Sequence, residues 1–426
     1  MHSFLLGCVA LLQTAMFRGD LAHTAVYGDT GIAKLAGVKW RFHTGGRVIA
    51  SPAIAGRTAY VGSTDGNLYA VDLGHGTLRW KLATGARVTS SPAVSNGVVY
   101  VVSYDGNLYA ADAPTGTLKW KFATQGERRF AGTHLHGVLP VAERMPDPFD
   151  VFLSSPAVSG GVVYFGSGDG NVYAVDAASG TLRWKYQTGD VVHASPAIAD
   201  GVVYIGSWDS WFYALDAATG TLKWRFKTGE DPDIHNQVGI QSSAAVADGM
   251  VYFGCRDSKF YALDARTGAQ KWSFDNHGSW VVSSPAVRDG KVYFGTSDSK
   301  RIWALDAKTG ATVFEMPVRW YIFGSPALAG HWLYVGNWDG TLTAVDLNTK
   351  KSAWMFQSDG SRAHLPSYLK PDGTIDVAGT HVEPFYDTMV ALVEKQFTLG
   401  AILSSPVIVD HTLYVGSADG NLYALY

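Results

Sequence analysis

Short apolar and β-branched runs recur along the whole chain, each halted by a turn that contains glycine. In the first set the runs cover residues 48–54, 58–63, 67–72 and 77–84, with Asp65-Gly66 between the second and third. This alternation of brief apolar stretches and turn residues predicts four consecutive strands joined by tight connections. Asp-Gly suits a two-residue hairpin, because glycine accepts positive φ freely and aspartate better than most residues.

The set is repeated eight times. Ser51, Ser91, Ser155, Ser195, Ser243, Ser284, Ser325 and Ser405 are each followed nine residues later by a tyrosine (Tyr60 through Tyr414) and fourteen later by an aspartate (Asp65 through Asp419). A further aspartate, Asp72 in the first set, precedes by eight residues an aromatic, Trp80, and seven sets keep this spacing with Trp or Phe. A four-stranded unit of about forty residues, repeated, predicts an all-β, eight-bladed propeller. The eighth set stops at Tyr426 without its last strand, and residues 38–45 carry the pattern of the missing one, so the N-terminal side is expected to complete the last blade and close the ring.

The stretches from Gly166 to Trp184 and from Gly206 to Trp224 resemble the pyrroloquinoline quinone (PQQ)-like repeat. That resemblance spans about residues 38–426 and implies a single eight-bladed domain. It is shared by two kinds of protein: quinoprotein alcohol dehydrogenases, and the non-catalytic propeller lipoprotein of the outer-membrane β-barrel assembly machine. The family therefore implies a fold and leaves two functions open. One is an extracytoplasmic, periplasmic scaffold that binds a cell-envelope protein or a small molecule. The alternative is a PQQ-dependent alcohol or sugar dehydrogenase, in which calcium polarises the quinone and an acidic residue takes the substrate proton.

Charge and cysteine content narrow these readings. Charged residues make up 17% and the net charge is −3, which provides no basic field for nucleic acid. Cys8 and Cys255 are the only cysteines, so the adjacent-cysteine disulfide that the resemblance implies for the dehydrogenases is lacking, as is a haem-attachment motif. Cys255 is expected to be a small buried thiol. Residues 1–22 are expected to hold a leader or signal-like segment: 4–12 are apolar, and Leu5-Leu6-Gly7-Cys8 resembles a lipobox, so any membrane contact is expected only through such a leader or a lipid anchor. The run from Met16 to Asp20 resembles the mature start of this family.

The sets differ where the outer strand of one leads to the inner strand of the next. Five of these connections hold the aromatic-to-serine spacing at eleven or twelve residues, whereas it is 35 after Trp120, 19 after Trp224 and 51 after Trp354. These inserts, near 125–150, 230–241 and 358–400, all fall on the face of the Asp-Gly hairpins, where function is expected. Two residues before the serine, the fourth and fifth sets alone place His193 and Gln241. Before the hairpin aspartate stand Trp208, Arg256 and Trp338 in the fourth, fifth and seventh sets. With His134 and His136 of the first insert and Asp231, His235 and Asn236 of the second, they form the candidate site over blades three to five. It is read either as a ligand or partner pocket, whose polar side chains the fold would not need, or as a network that fastens the loops. If extended, His134-x-His136 would turn two imidazoles to one side, with His193, His235 or Asp231 completing a metal sphere. Glu230, Asp231, Asp233 and Asn236 could offer oxygens to a calcium-quinone pair.

Overall fold

The computed structural model describes residues 15–229, 239–371 and 385–426. It is an eight-bladed propeller of antiparallel four-stranded blades. In blade one the strands are Ala53–Ala55, Thr58–Gly62, Asn67–Asp72 and Leu78–Ala83. The inner strand is shorter than the 48–54 run because its leading residues bond to neighbouring blades instead. The Val48 N–H donates to the Ser417 carbonyl of blade eight, and the Ser51 N–H to the Ser91 hydroxyl of blade two.

The serine spacing now has a physical cause. Seven of the eight repeated serines offer the hydroxyl oxygen to the backbone N–H of the serine one blade earlier. Seven such bonds, at 2.8–3.0 Å, run from blade to blade around the axis, including Ser405 to Ser51 across the seam. Only a small side chain with a hydroxyl can both accept this bond and fit at the crowded centre.

A second set of ties lies at the rim. The indoles of Trp40, Trp80, Trp120, Trp184, Trp224 and Trp272 each donate to a carbonyl just after the turn aspartate of the next blade, at 3.0–3.3 Å. The turn glycine under the ring allows this approach: a Cβ on Gly220 would stand 2.7 Å from the Trp184 ring, at φ +73°. Blade eight ends before such a turn, and Ile32 replaces it, its carbonyl accepting from Trp354 at 2.8 Å.

Ring closure follows the expected route. Val38–His43 pairs antiparallel with Asn421–Leu425, Trp40 opposite Ala424. The segment before it was not expected. Residues 15–27 cross the plain end of the channel, where carbonyls of Ala15, Leu21, Ala22, Thr24 and Ala25 accept N–H groups from the inner strands of blades two, four, five, six and seven. Val26–Tyr27 then adds in parallel to blade seven. Arg18, His23 and Ala25 are buried there. Residues 15–22 thus pack into the folded body. No helix among the described residues is long and apolar enough to cross a membrane.

Because blade eight depends on a strand from the other end of the chain, a protein beginning at residue 47 should lose its cooperative melt or melt at least about 10 °C lower. The single change Trp40→Ala should cost about 3–5 kcal/mol in urea unfolding. An unchanged melting temperature for the truncated chain would contradict closure through Val38–His43.

Candidate functional site: the capped end of the channel

The elaborated face is a lid built from the first and third inserts. The first carries a short antiparallel pair, Ala131–Gly132 with Met145–Pro146, and then descends through Asp147, Phe149 and Asp150 onto the channel mouth. The third begins with helix α1 (Asp359–His364), capped by the Ser358 hydroxyl, and ends with helix α2 (Tyr386–Phe397). The Tyr386 N–H donates to the Leu139 carbonyl at 3.0 Å and its hydroxyl to the Pro146 carbonyl at 2.6 Å, joining the two inserts. Beneath them Phe149, Trp280, Trp320, Phe323, Trp338 and Phe397 form one buried apolar cluster.

Most of the candidate polar residues hold this lid. His193 is buried, its Nδ1 2.7 Å from Asp150 Oδ1 and its Nε2 2.8 Å from Glu127 Oε1. Burial disfavours the imidazolium, but the two carboxylates outweigh it and hold the His193 pKa up at about 10. Arg256 donates to Asp147 Oδ2 at 2.7 Å, and its guanidinium lies 3.8 Å from the centre of the Trp280 ring and 4.7 Å from that of Trp208. Against the cost of burial, Arg256 and His136 keep the Asp147 carboxyl well below the usual carboxylate range. The Gln241 amide donates to the Phe149 carbonyl at 3.0 Å. Phe130 stacks on Trp208 at 4.4 Å, and Trp338 lies edge-on to Phe149 and Phe323.

His193, Trp208, Gln241, Arg256 and Trp338 are therefore brought together as a buried fastening network, each 5% exposed or less. These contacts fit the second of the two readings, in which the polarity at 193, 241 and 256 serves to fasten the insert. These groups neutralise or satisfy Glu127, Asp147, Asp150 and the Phe149 carbonyl, charges and dipoles that the insert itself carries into the interior. Glu127, Asp147 and Asp150 are members of the network that the site reading missed. The signal was present in the sequence, since a lone His and a lone Arg at axial repeat positions call for carboxylates from the insert above them.

The proposed histidine pair is also corrected. His134 and His136 do not lie on an extended strand, because both adopt left-handed backbone, at φ +57° and +53°, around a 3-10 turn. His134 is exposed, whereas His136 packs on Phe149 and Trp280 and reaches Asp147 at 3.4 Å. Among the described residues no three His, Cys, Asp or Glu side chains converge as a metal site. Asp231, His235 and Asn236, with Glu230 and Asp233, lie outside the described residues. Cys255 is buried, donates to the Gly239 carbonyl at 3.4 Å, and has its thiol pKa pushed well up by burial.

Between the lid and the N-terminal plug the axis keeps a cavity of about 40 Å³, ringed by the eight serines and closed by Phe17 on one side and Phe152 on the other. Ligand pockets of drug-like size occupy about 300 Å³ or more. The axial cavity among the described residues is well below that size.

Two measurements probe the network. Because the folded pKa of His193 is raised above the ordinary 6.5, its stabilisation is complete below about pH 6.5 and is lost as pH rises toward about 10. Urea midpoints should fall over that interval in the native protein and follow a flatter profile in His193→Gln. Arg256→Met should cost about 3–5 kcal/mol by stranding Asp147, and adding Asp147→Asn should recover much of that loss. Unchanged stability in Arg256→Met would show that the pair fastens nothing.

Comparisons with known proteins agree with this architecture. The family model described as outer membrane protein assembly factor BamB matches residues 33–141 and 142–356. A search of curated proteins gives no match. Similar solved structures include BamB from Moraxella catarrhalis, 17% identical with a TM-score of 0.65 over 91% of this chain and 99% of that one. The quinohemoprotein alcohol dehydrogenase ADHIIG from Pseudomonas putida HK5 is 16% identical, with a TM-score of 0.70 over 97% of this chain and 79% of its own. The computationally designed Ika8 protein is similar too, at 17% identity and a TM-score of 0.65 over 92% of this chain and 100% of its own. At these identities the structures share the fold. With its family model matched over most of its length, the chain belongs to the outer membrane protein assembly factor BamB family of PQQ-like repeat propellers.

Proposed function

We propose that this chain is an extracytoplasmic scaffold, working in the periplasm, that binds a protein partner of outer-membrane assembly through its lid. The observation that carries this reading is the sealed axis. The inserts that an enzyme would use to line a substrate funnel are here packed into the channel mouth, leaving about 40 Å³, while their outer surface stays available. The tip of that surface is apolar: Leu139 and Val141 of the first insert and Phe385 at the start of α2 are exposed, with Leu139 bridged to Phe385. Exposed apolar side chains gathered on an elaborated face mark an interaction surface, and the lid beneath gives them a rigid base.

The test uses the whole protein and a purified, detergent-solubilised β-barrel assembly machine. Binding should be measurable, and the double change Leu139→Glu with Phe385→Glu should weaken it at least ten-fold with the melting temperature unchanged within about 2 °C, because both side chains are exposed. A parallel sample incubated with PQQ and calcium and then desalted should show no quinone absorption and no alcohol-dependent dye reduction. Retained quinone with turnover would overturn the scaffold reading in favour of the dehydrogenase.

A further inference from the structure

Six blades share a small polar assembly at the Asp-Gly hairpin. A tyrosine four residues beyond the hairpin aspartate, Tyr69, Tyr109, Tyr173, Tyr213, Tyr261 or Tyr423, donates its hydroxyl to Oδ2 of that aspartate at 2.5–2.7 Å. The same oxygen accepts a backbone N–H from the preceding blade at 2.6–3.2 Å. In most of these blades the ring also rests on an aromatic of the preceding blade, as Tyr69 does on Phe42 and Tyr423 on Phe356, with centroids 5.4 and 5.1 Å apart.

Blade seven has lost every part of this arrangement. Thr343 stands where the tyrosine should be, and Met316 of blade six occupies the place of the supporting aromatic. The hairpin aspartate, Asp339, is buried, and its Oδ2 accepts no hydrogen bond. Its charged neighbour is the Arg319 guanidinium at 4.0 Å. Asn337, 2% exposed, likewise has an unpartnered Oδ1. Burial pushes the Asp339 carboxyl up from the usual carboxylate range. Where the ring is missing a groove of about 410 Å³ opens, lined by Met316, Val318, Arg319, Asn337, Thr343 and Met355 among others. Met355 pairs with Thr343 and is 47% exposed, whereas all seven equivalent positions are polar, Arg41, Lys81, Lys121, Lys185, Arg225, Ser273 and Glu315.

We infer that the groove between blades six and seven is a binding site for a para-substituted phenol, whose ring takes the volume of the absent tyrosine beside Thr343 and whose single O–H donates to Asp339 Oδ2, the aspartate oxygen that the tyrosine hydroxyl holds in six other blades and that accepts no hydrogen bond here. The open oxygen is an acceptor, so the ligand must bring a donor, and the apolar walls contributed by Met316, Val318 and Met355 call for a flat hydrocarbon body. A phenol unites the two, and six copies of the solution are present in the same molecule. Unpaired buried acceptors are costly, which supplies a driving force that a purely apolar ligand cannot use. A free small molecule and a tyrosyl side chain both present this ring and share this chemistry.

Titration of the whole protein, followed by NMR or calorimetry, tests the site with p-cresol, N-acetyltyrosinamide and toluene. Saturable p-cresol binding is expected, with toluene at least ten-fold weaker. A tyrosinamide that binds more tightly than p-cresol assigns a side chain as the natural occupant, and a weaker one assigns a free phenol. Thr343→Tyr, which fills the groove with the residue of the other blades, should abolish binding and raise the melting temperature by about 2 °C or more. Should that variant fold poorly, Met355→Lys, at an exposed position, should still weaken p-cresol several-fold. Equal affinity for toluene, no saturable binding, or p-cresol binding untouched by a folded Thr343→Tyr or by Met355→Lys would each overturn the inference.

Discussion

Everything in this molecule depends on the eight blades meeting at one axis, and the contact that brings them there is the serine-to-backbone hydrogen bond passed from each blade to the next. A buried backbone N–H without a partner is costly, and ahead of seven of the eight inner strands the serine N–H has left its own sheet. The neighbouring serine hydroxyl satisfies it. Each bond is worth only about 1 kcal/mol net, but seven in a circle fix the spacing of all the inner strands together. The rim tryptophans hold the outer strands by the same kind of donation, to a carbonyl of the next blade. The last blade is completed by Val38–His43 from the far end of the chain, so the circle closes without an unpaired strand edge.

The repeated part of the fold was legible because repetition supplies its own comparison. Ser51, Tyr60, Asp65, Asp72 and Trp80 recur at fixed intervals, and each interval corresponds to one bond or one turn in the structure. What occurs once was far harder to read. The plug at residues 15–27 contributes mostly backbone carbonyls to the inner strands, and carbonyls leave no mark in a sequence. Ile32 standing in for a missing turn was hidden for the same reason.

Part of the candidate site is a set of buried pairs whose carboxylate members the site reading did not name. His193, Gln241 and Arg256 stood out because neighbouring blades place apolar or small residues at those positions, and the structure does gather them beneath the first insert. Their partners, Glu127, Asp147 and Asp150, come from a segment without a repeat to align it, so the sequence called for carboxylates there without marking which ones pair. Once made, these pairs turn polar side chains inward. They leave only a small cavity on the axis. The same logic applies in reverse at blade seven, where the absence of Tyr, at Thr343, left a groove visible only against the other copies.

The sealed axis is the point on which scaffold and quinone enzyme part company, and hydrogen exchange resolved to residues 127–153 tests it most directly. Phe130 and Phe149 donate their N–H groups to Asp150 and Asp147 inside the buried network. Their exchange should be as slow as that of the inner strands, and adding PQQ with calcium should leave it unchanged. Fast exchange at these two amides, or a change in their protection on adding the quinone, would show that the first insert opens and that the channel is a ligand site after all.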